Sequence, residues 1–354
     1  MTFVSGRVAA VAALATMATV GLANPAAASQ PVSVSCGQVI TASTTLNGDV
    51  GPCPDNGIVI GANDVTLNLH GHRIFGTPAP GDGAGVLVSA RTGVRVENGA
   101  VSDFDGGIVI QGGKANTVRK IVASDNIGSS GGPAPATLYG DGILLEGSID
   151  NVIVDNVTND NGPFSGIGLI QVPDSDHTFP AQPTTGNLIA RNTVTDNIAC
   201  RTGPFCDNDG IRVEPQVAGN AIVDNQVTGN GLDGISLFVD SDNNVVAKNT
   251  VDNNGFNGAV PGDGIRVFAS RNLIDRNSVR DNAAGGVSVG RRSISPPGSL
   301  PSGPTGNPRG KDNRIIGNLT GGNGVDLYDS NPGCDSNVWS DNIFQTARPA
   351  CTTG

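Results

Sequence analysis

The chain has 354 residues, with 21 Lys or Arg against 32 Asp or Glu, a formal net charge of −11. Its four lysines are scattered and it has no basic run, and an acidic protein repels phosphate groups, so we exclude nucleic-acid binding and docking on anionic lipid. Enzymes, carbohydrate-binding proteins and structural proteins remain as classes to consider.

The first 28 residues have the pattern of a signal peptide. A single cation, Arg7, precedes the small and apolar stretch 8–22, and Ala26-Ala27-Ala28 satisfies the small-x-small rule, so we place cleavage after Ala28. The apolar stretch is shorter than the roughly 20 residues that cross a bilayer, which argues against membrane insertion. Loss of Arg7 leaves 20 cations against 32 acids, a net charge of −12. We expect a soluble, secreted, extracellular monomer.

The six cysteines form three pairs that are close in sequence: Cys36 with Cys53, Cys200 with Cys206, and Cys334 with Cys351. In an exported protein such pairs predict disulfides. A zinc site is the alternative, but there is no C-x-x-C motif and no histidine near a cysteine.

A short segment of the form Gly, β-branched residue or Leu, any residue, aliphatic residue recurs along the chain. It begins at Gly57, Gly85, Gly107, Gly142, Gly166, Gly210, Gly234, Gly264, Gly286 and Gly324. The shortest intervals define a repeat of roughly 22 to 24 residues, and longer intervals indicate inserted loops.

Between these Gly-containing segments, asparagine recurs in three columns. The first contains Asn151, Asn187, Asn220, Asn244, Asn272, Asn313 and Asn337. The second contains Asn98, Asn156, Asn192, Asn225, Asn249, Asn277, Asn318 and Asn342. The third contains Asp103, Asn126, Asn161, Asn197, Asn230, Asn254, Asn282 and Asn323. An Asn amide can donate to and accept from the same amide one coil away, which predicts ladders at the corners of a prism.

Apolar residues between the asparagines alternate with period two, which indicates short strands with one inward face. Short strands are also typical of a β-sandwich, but a sandwich does not require Asn at matching offsets in successive repeats. The sequence therefore predicts an all-β, single-stranded right-handed parallel β-helix of about ten coils. We predict an N-terminal cap at 29–56, a helical body at 57–330, and the last coil with a C-terminal cap at 331–354.

The Asn columns, the Gly-containing strands and the cap sequence CGQVITASTTLNGDVGPCPDNGIVI resemble the secreted bacterial right-handed β-helix repeat proteins of the pectate-lyase-like superfamily. The resemblance covers nearly the whole mature chain. It implies the fold but not one activity, because that superfamily includes lyases, hydrolases, epimerases and adhesins. The chain lacks the superfamily's catalytic signatures, such as D-P-H-E of alginate epimerases and R-x-P-x-x-R of pectate lyases.

The predicted loops flank one strand face. Insertions 127–141, 198–209 and 255–263 precede a Gly-containing strand, and 171–186 and 291–312 follow one. Such loops could form the walls of a groove for an extended sugar chain, or could be insertions that corners tolerate.

Period two directs a mixed set of side chains outward from these strands: Glu146, Arg212, Glu214, Ser236, Phe238, Arg266, Phe268, Ser288, Asp326 and Tyr328. We expect this polar strip to be exposed. Aromatic rings can pack on sugar rings and Arg can bind carboxylates or hydroxyls, so Arg212, Glu214, Phe238, Arg266 and Phe268 are predicted to bind substrate. The alternative is a solvated face with ion pairs between coils.

An aspartate column lies directly before the strand glycines, at Asp141, Asp209, Asp233 and Asp263. These carboxylates could serve acid–base chemistry or hold calcium, the one cofactor we consider. They could equally be turn residues that accept backbone N–H bonds.

Two functions follow. The first is a secreted protein that binds, and cleaves or epimerises, an extracellular polysaccharide, with Glu214, Asp233, Asp263 and His177 as candidate catalytic residues and Tyr139 as a weaker one. The second is a non-catalytic cell-surface or structural rod.

Overall fold

Nearly all regular structure in this computed structural model consists of short parallel β-strands. The structure describes residues 30–77, 83–128, 140–171, 182–199, 208–257, 260–290 and 310–354, and Pro31–Gly354 form one compact unit. The signal peptide predicted at 1–28 lies outside these residues, and the cap boundaries stay predictions.

Sheet 1 contains the Gly-containing strands, paired in parallel in chain order. In the described residues it has twelve strands: Gln38–Ile40, Ile58–Ile60, Ala84–Ser89, Gly106–Gln111, Ile143–Glu146, Ser165–Ile170, Asp209–Val213, Ile235–Leu237, Ile265–Val267, Gly285–Val289, Val325–Asp329 and Ala347–Arg348. The first and last of these come from the predicted caps. Ten repeat segments thus become twelve strands because each cap adds one.

Sheet 2 follows sheet 1 in each coil. Its strands are Thr44–Thr45, Thr66–Asn68, the first half of Arg95–Ser102, the first half of Thr117–Ser124, Val152–Val154, Leu188–Ala190, Ala221–Val223, Val245–Ala247, Leu273–Asp275, Arg314–Ile316 and Val338–Ser340. They also pair in parallel in chain order, so each coil is stacked on the one before it.

Sheet 3 completes the coil. It contains Val50–Cys53, Arg73–Gly76, the second halves of Arg95–Ser102 and Thr117–Ser124, Val157–Asn159, Thr193–Thr195, Gln226–Thr228, Thr250–Asp252, Ser278–Arg280 and Leu319–Gly321. Two 3-10 helices, Pro332–Cys334 and Ala350–Thr353, lie near the C-terminus. Three parallel sheets with one strand per coil confirm the predicted β-helix.

Inward side chains stack in register to form the core. Ile211, Ile235 and Ile265 are paired across sheet 1 and are fully buried. The glycine before each of them has a steric cause: a Cβ on Gly210 would lie 2.5 Å from the Gly234 carbonyl oxygen of the next coil. The repeated glycine therefore marks a corner where no side chain fits.

The asparagine ladders are confirmed. The Asn192 side-chain amide donates to Asn225 Oδ1 at 3.0 Å, and that of Asn225 donates to Asn249 Oδ1 at the same distance. The backbone N–H of Asn192 also donates to Asn225 Oδ1, so each amide closes a corner and links two coils.

Two ladder positions and one repeat were assigned wrongly. Asn98 lies opposite Lys120, one residue before the position of the second ladder. Asp103 lies one residue before the position of the third ladder, which Phe104 occupies. In the last repeat, Val325 lies opposite Gly285, so the segment at Gly324 is shifted by two residues. Asp326 therefore does not belong to the polar strip. It accepts hydrogen bonds from Asn323, Gln345 and Thr346.

Disulfides close both ends of the described chain. Cys36 bonds to Cys53 and Cys334 to Cys351, with Cα atoms 5.4 and 6.0 Å apart. Both pairings are confirmed. The Cys200–Cys206 bridge falls outside the described residues and stays a prediction.

Candidate functional site

The polar strip lies on the outer face of sheet 1. The register of the strands places Gly168, Arg212, Ser236, Arg266 and Ser288 in one column. None of these five residues belongs to the apolar core. The period-two pattern therefore gave the correct direction for the strip.

The expectation that the strip is exposed is wrong. Arg212 and Arg266 are 5% and 6% exposed, and Phe238 and Phe268 are 6% and 7% exposed. Ser236 and Ser288 are fully buried, and Glu146, Glu214 and Tyr328 are half-buried. The strip is thus a layer of largely buried side chains on the outer face of sheet 1, separate from the core inside the coil. Alternation along a strand specifies the side of the sheet, but not what packs over it.

Carboxylates of the aspartate column connect successive coils of the strip. Asp209 Oδ2 accepts from Arg212 Nη1 at 3.3 Å and from Ser236 Oγ at 2.7 Å, while Asp209 Oδ1 accepts from the Asp233 backbone N–H at 3.0 Å. Asp233 Oδ2 accepts from Arg266 Nη1 of the next coil, and Asp233 Oδ1 accepts from the Asp263 backbone N–H. Each of these two carboxylates therefore accepts a backbone N–H bond, as the turn interpretation predicts, and also pairs with an arginine.

Arginine and serine alternate along the neighbouring column. Arg212 and Arg266 are separated by Ser236, which keeps two guanidinium groups from lying one coil apart. Asp263 Oδ1 accepts from Ser288 Oγ at 3.0 Å, and Asp263 Oδ2 lies 4.0 Å from Arg266 Nε. The result is a continuous polar network over four coils.

Aromatic rings cover the two guanidinium groups. Arg212 Cζ lies 4.2 Å from the ring centre of Phe238 and 5.1 Å from that of Phe164. Arg266 Cζ lies 4.3 Å from the ring centre of Phe268. Stacked rings fix the guanidinium planes and exclude water from them. Phe164 was missed from the sequence because it precedes the strand and does not follow the repeat.

Asp141 has the most perturbed environment in the network. It is 4% exposed, and Ser165 Oγ donates a hydrogen bond to its carboxylate. The carboxylate lies over Gly168, where a Cβ would be 2.8 Å from Asp141 Oδ1. Burial raises the pKa of Asp141 to about 7, although the Ser165 hydrogen bond and the charge of Arg212 oppose the shift. The sequence placed Asp141 in the aspartate column but did not indicate that it holds a proton near neutral pH.

The raised pKa of Asp141 predicts a specific pH dependence of stability. The unfolded group ionises at 3.8 and the folded group at about 7, so the folded state retains a proton that the unfolded state has lost. The contribution of this group to stability should therefore fall between these pH values, by about 4 kcal/mol in total, and then level off.

Asp141→Asn removes this titration while keeping an acceptor for Ser165. Urea unfolding at pH 5 and pH 8 should show the variant gaining stability relative to wild type as the pH rises. An equal difference between the two proteins at both pH values would show that Asp141 does not titrate in this range.

The candidate catalytic residues differ in accessibility. Asp233 and Asp263 are 1% and 2% exposed and contact Arg266, whereas the Glu214 side chain is 20% exposed and accepts a hydrogen bond from Arg212 Nε. Glu214 is thus the carboxylate of the three with the most accessible surface. His177 and Tyr139 lie outside the described residues.

The outer face of sheet 1 changes character along the helix. In the earlier coils Ala84, Val109 and Leu144 form a small apolar cluster, with Leu87 and Ile170 packed against it. Val109 and Leu144 are in the same column as Arg212. The polar network is therefore a local feature of the later coils and not a requirement of the fold.

Across the residues that the structure describes, no group of three or more His, Cys, Asp or Glu side chains is arranged to hold a metal ion. Within the same ranges, we find no helix with the length and apolar character needed to span a membrane.

Comparison with known proteins identifies the architecture. Residues 175–296 match the family described as "Right handed beta helix region". The periplasmic alginate epimerase AlgG is 16% identical with a TM-score of 0.58, covering 86% of this chain and 73% of that chain. DFA-IIIase from Arthrobacter chlorophenolicus A6 is 12% identical with a TM-score of 0.54, covering 85% and 70%.

The Dettilon tailspike protein is 15% identical, with a TM-score of 0.52, and the similarity covers 88% of this chain and 53% of that chain. No curated protein has significant sequence similarity to the chain. The three parallel sheets and these similarities together show that the chain is a right-handed parallel β-helix protein.

Proposed function

We propose that this is an exported protein that binds an extracellular polysaccharide on the outer face of sheet 1. The binding surface is centred on Arg212, Glu214, Phe238, Arg266 and Phe268. One observation carries the proposal. An ordered network of carboxylates, guanidinium groups and aromatic rings is buried outside the core in the later coils, whereas earlier coils have Val and Leu on the same face of sheet 1.

Stability alone does not explain such a network. Desolvating two charges offsets much of their mutual attraction, and replacing a buried ion pair with apolar residues is often neutral or stabilising. Val109 and Leu144 occupy the column of Arg212 in earlier coils, so apolar residues can fill this position on the face. The later coils nevertheless have charged and polar residues in this column, which favours ligand binding as the reason for the network.

The ligand class follows from the groups present. Arg212 and Arg266 are held in place by Asp209 and Asp233, and a guanidinium group can bind hydroxyl or carboxylate oxygens of a sugar chain. Phe238 and Phe268, with ring centroids 6.2 Å apart, stack on these guanidinium groups and are 6% and 7% exposed, so Glu214, with a 20% exposed side chain, is the most accessible group of the proposed site. Polysaccharide is further favoured because the similar β-helix proteins include an alginate epimerase. Export is favoured by the predicted signal peptide and the two disulfides.

Cleavage or epimerisation of the bound chain is the finer form of the proposal. Both reactions require proton transfer, and the same face holds one carboxyl group that keeps its proton near neutral pH, Asp141, and one half-buried carboxylate, Glu214. A structural rod is the alternative function, and would need neither group.

A panel of plant, algal and bacterial polysaccharides tests the proposal. The purified protein should be retained by at least one of them in affinity electrophoresis, with and without calcium. New reducing ends or an unsaturated uronate chromophore would establish cleavage, and retention without new ends would establish a binding protein. Absence of both retention and product across the panel would favour the rod.

A further inference from the structure

The outer face of sheet 2 is aliphatic over five successive coils. Val152, Leu188, Ala221, Val245 and Leu273 occupy one outward column and are half-buried, so each keeps accessible surface. None of them belongs to the core cluster. In the next outward column Val223 is also half-buried, whereas Val154, Ala190 and Ala247 are 8%, 2% and 8% exposed.

The outward face of sheet 3 is polar, so the geometry of the coil does not require an aliphatic outward face. In the same coils its outward columns read Val157, Thr193, Gln226, Thr250 and Ser278, then Asn159, Thr195, Thr228, Asp252 and Arg280. Both sheets face outward from the same stacked coils, but only one is polar. A contiguous apolar face on an otherwise polar exterior is typical of a protein interface.

The corner beside this face carries charges that alternate in sign. Asp155, Arg191, Asp224 and Lys248 directly follow four successive sheet 2 strands and are exposed. Within one molecule, Arg191 Nε donates to Asp155 Oδ1 at 2.8 Å. A series of four charges that reads minus, plus, minus, plus is complementary to its own reverse.

We infer that sheet 2 is a self-association surface, on which two copies of this chain pack face to face with their coils antiparallel. The two-fold axis runs along the strands and passes between the coils of Leu188 and Ala221. Leu188 of one copy then lies opposite Ala221 of the other, and Arg191 lies opposite Asp224. Val152 and Asp155 likewise face Val245 and Lys248.

The charge series sets the position of the axis. Ten of the eleven sheet 2 strands, from Thr66–Asn68 to Val338–Ser340, are arranged symmetrically about it, and Thr44–Thr45 has no counterpart. At about 4.8 Å per coil and about 15 Å of width, such a face covers about 700 Å² per copy, near the size of specific interfaces. Beyond the four central coils, Lys120 comes opposite Arg276 and Arg95 comes opposite Arg314, and these two repulsions should make the dimer weak and reversible.

The dimer departs from the monomer expected from sequence. It is independent of the proposed function, because sheet 1 remains uncovered by this packing.

Sedimentation velocity of the mature protein, from about 1 to about 300 μM, tests the inference. The dimer fraction should rise with concentration. Leu188→Arg should leave a monomer throughout, because it places a charge at the centre of the apolar face. The matched control is Thr193→Arg, an outward position of sheet 3 in the same coil, which should dimerise like wild type.

A charge series provides a second test that does not depend on the apolar face. Arg191→Asp should weaken the dimer at least about tenfold by placing two aspartates opposite each other, and Arg191→Asp with Asp224→Arg should restore it. These positions are exposed, so circular dichroism should show folded protein in every case. A wild-type monomer at all concentrations, equal behaviour of the two Arg variants, or no rescue by the charge exchange would overturn the inference.

Discussion

Replacing Asn225 with Leu is expected to lower the free energy of unfolding by about 1 to 3 kcal/mol, because the buried backbone N–H of Asn192 loses its acceptor. Asn225 is 2% exposed. Its Oδ1 accepts from the backbone and side-chain amides of Asn192 at 2.9 and 3.0 Å, and its Nδ2 donates to the Ile189 carbonyl oxygen and to Asn249 Oδ1. Chemical denaturation of wild type and variant measures the change.

The matched control is Asn257→Leu. Asn257 is exposed and is not part of a ladder, so this variant should differ from wild type by less than about 0.5 kcal/mol. If both variants unfold at the same denaturant concentration, the ladders do not stabilise the coil stack.

Replacing Arg266 with Ala is expected to cost about 3 to 5 kcal/mol, because it removes a guanidinium group that lies between two buried carboxylates. Arg266 Nη1 is 3.2 Å from Asp233 Oδ2, and its Nε is 4.0 Å from Asp263 Oδ2. The loss should be measured by urea unfolding near pH 7.

Arg276→Ala is the control for Arg266→Ala. Arg276 also pairs with an aspartate, at 3.5 Å from Asp275, but its side chain is 69% exposed, so its loss should cost less than about 1 kcal/mol. A cost for Arg266→Ala as small as that of the control would show that the buried network is not coupled to folding. Arg212→Ala with Arg266→Ala should likewise destabilise the protein, so this pair is unsuitable for testing ligand binding.

The sequence was most informative where one physical constraint repeats in every coil. Glycine at the strand start reflects contact with the next coil, as at Gly210, and Asn at a corner reflects a hydrogen bond with the next coil, as at Asn225. Both constraints act between neighbours in a stack, so they leave a periodic pattern. The fold could therefore be predicted, and both cap disulfides could be predicted because their cysteines are close in sequence.

The predictions failed where the constraint is not periodic. In Arg95–Ser102 the strand continues through the corner without an Asn ladder residue, and Asn98 was therefore placed one residue out of register. Burial of Arg212 depends on what packs over sheet 1, which the alternation of one strand does not encode. The pKa of Asp141 is raised by its burial and lowered by Ser165 and Arg212, two residues of later coils that are distant from Asp141 in sequence.

Retention of polysaccharide by a Glu214→Gln variant tests the central proposal most directly. Glu214 combines contact with Arg212 and a 20% exposed side chain, so the variant should fold normally and bind the retained polysaccharide at least about tenfold more weakly in affinity electrophoresis. Asp252→Asn, on the outward face of sheet 3, is the control and should bind like wild type. Equal retention of both variants and wild type would contradict a polysaccharide site on the outer face of sheet 1.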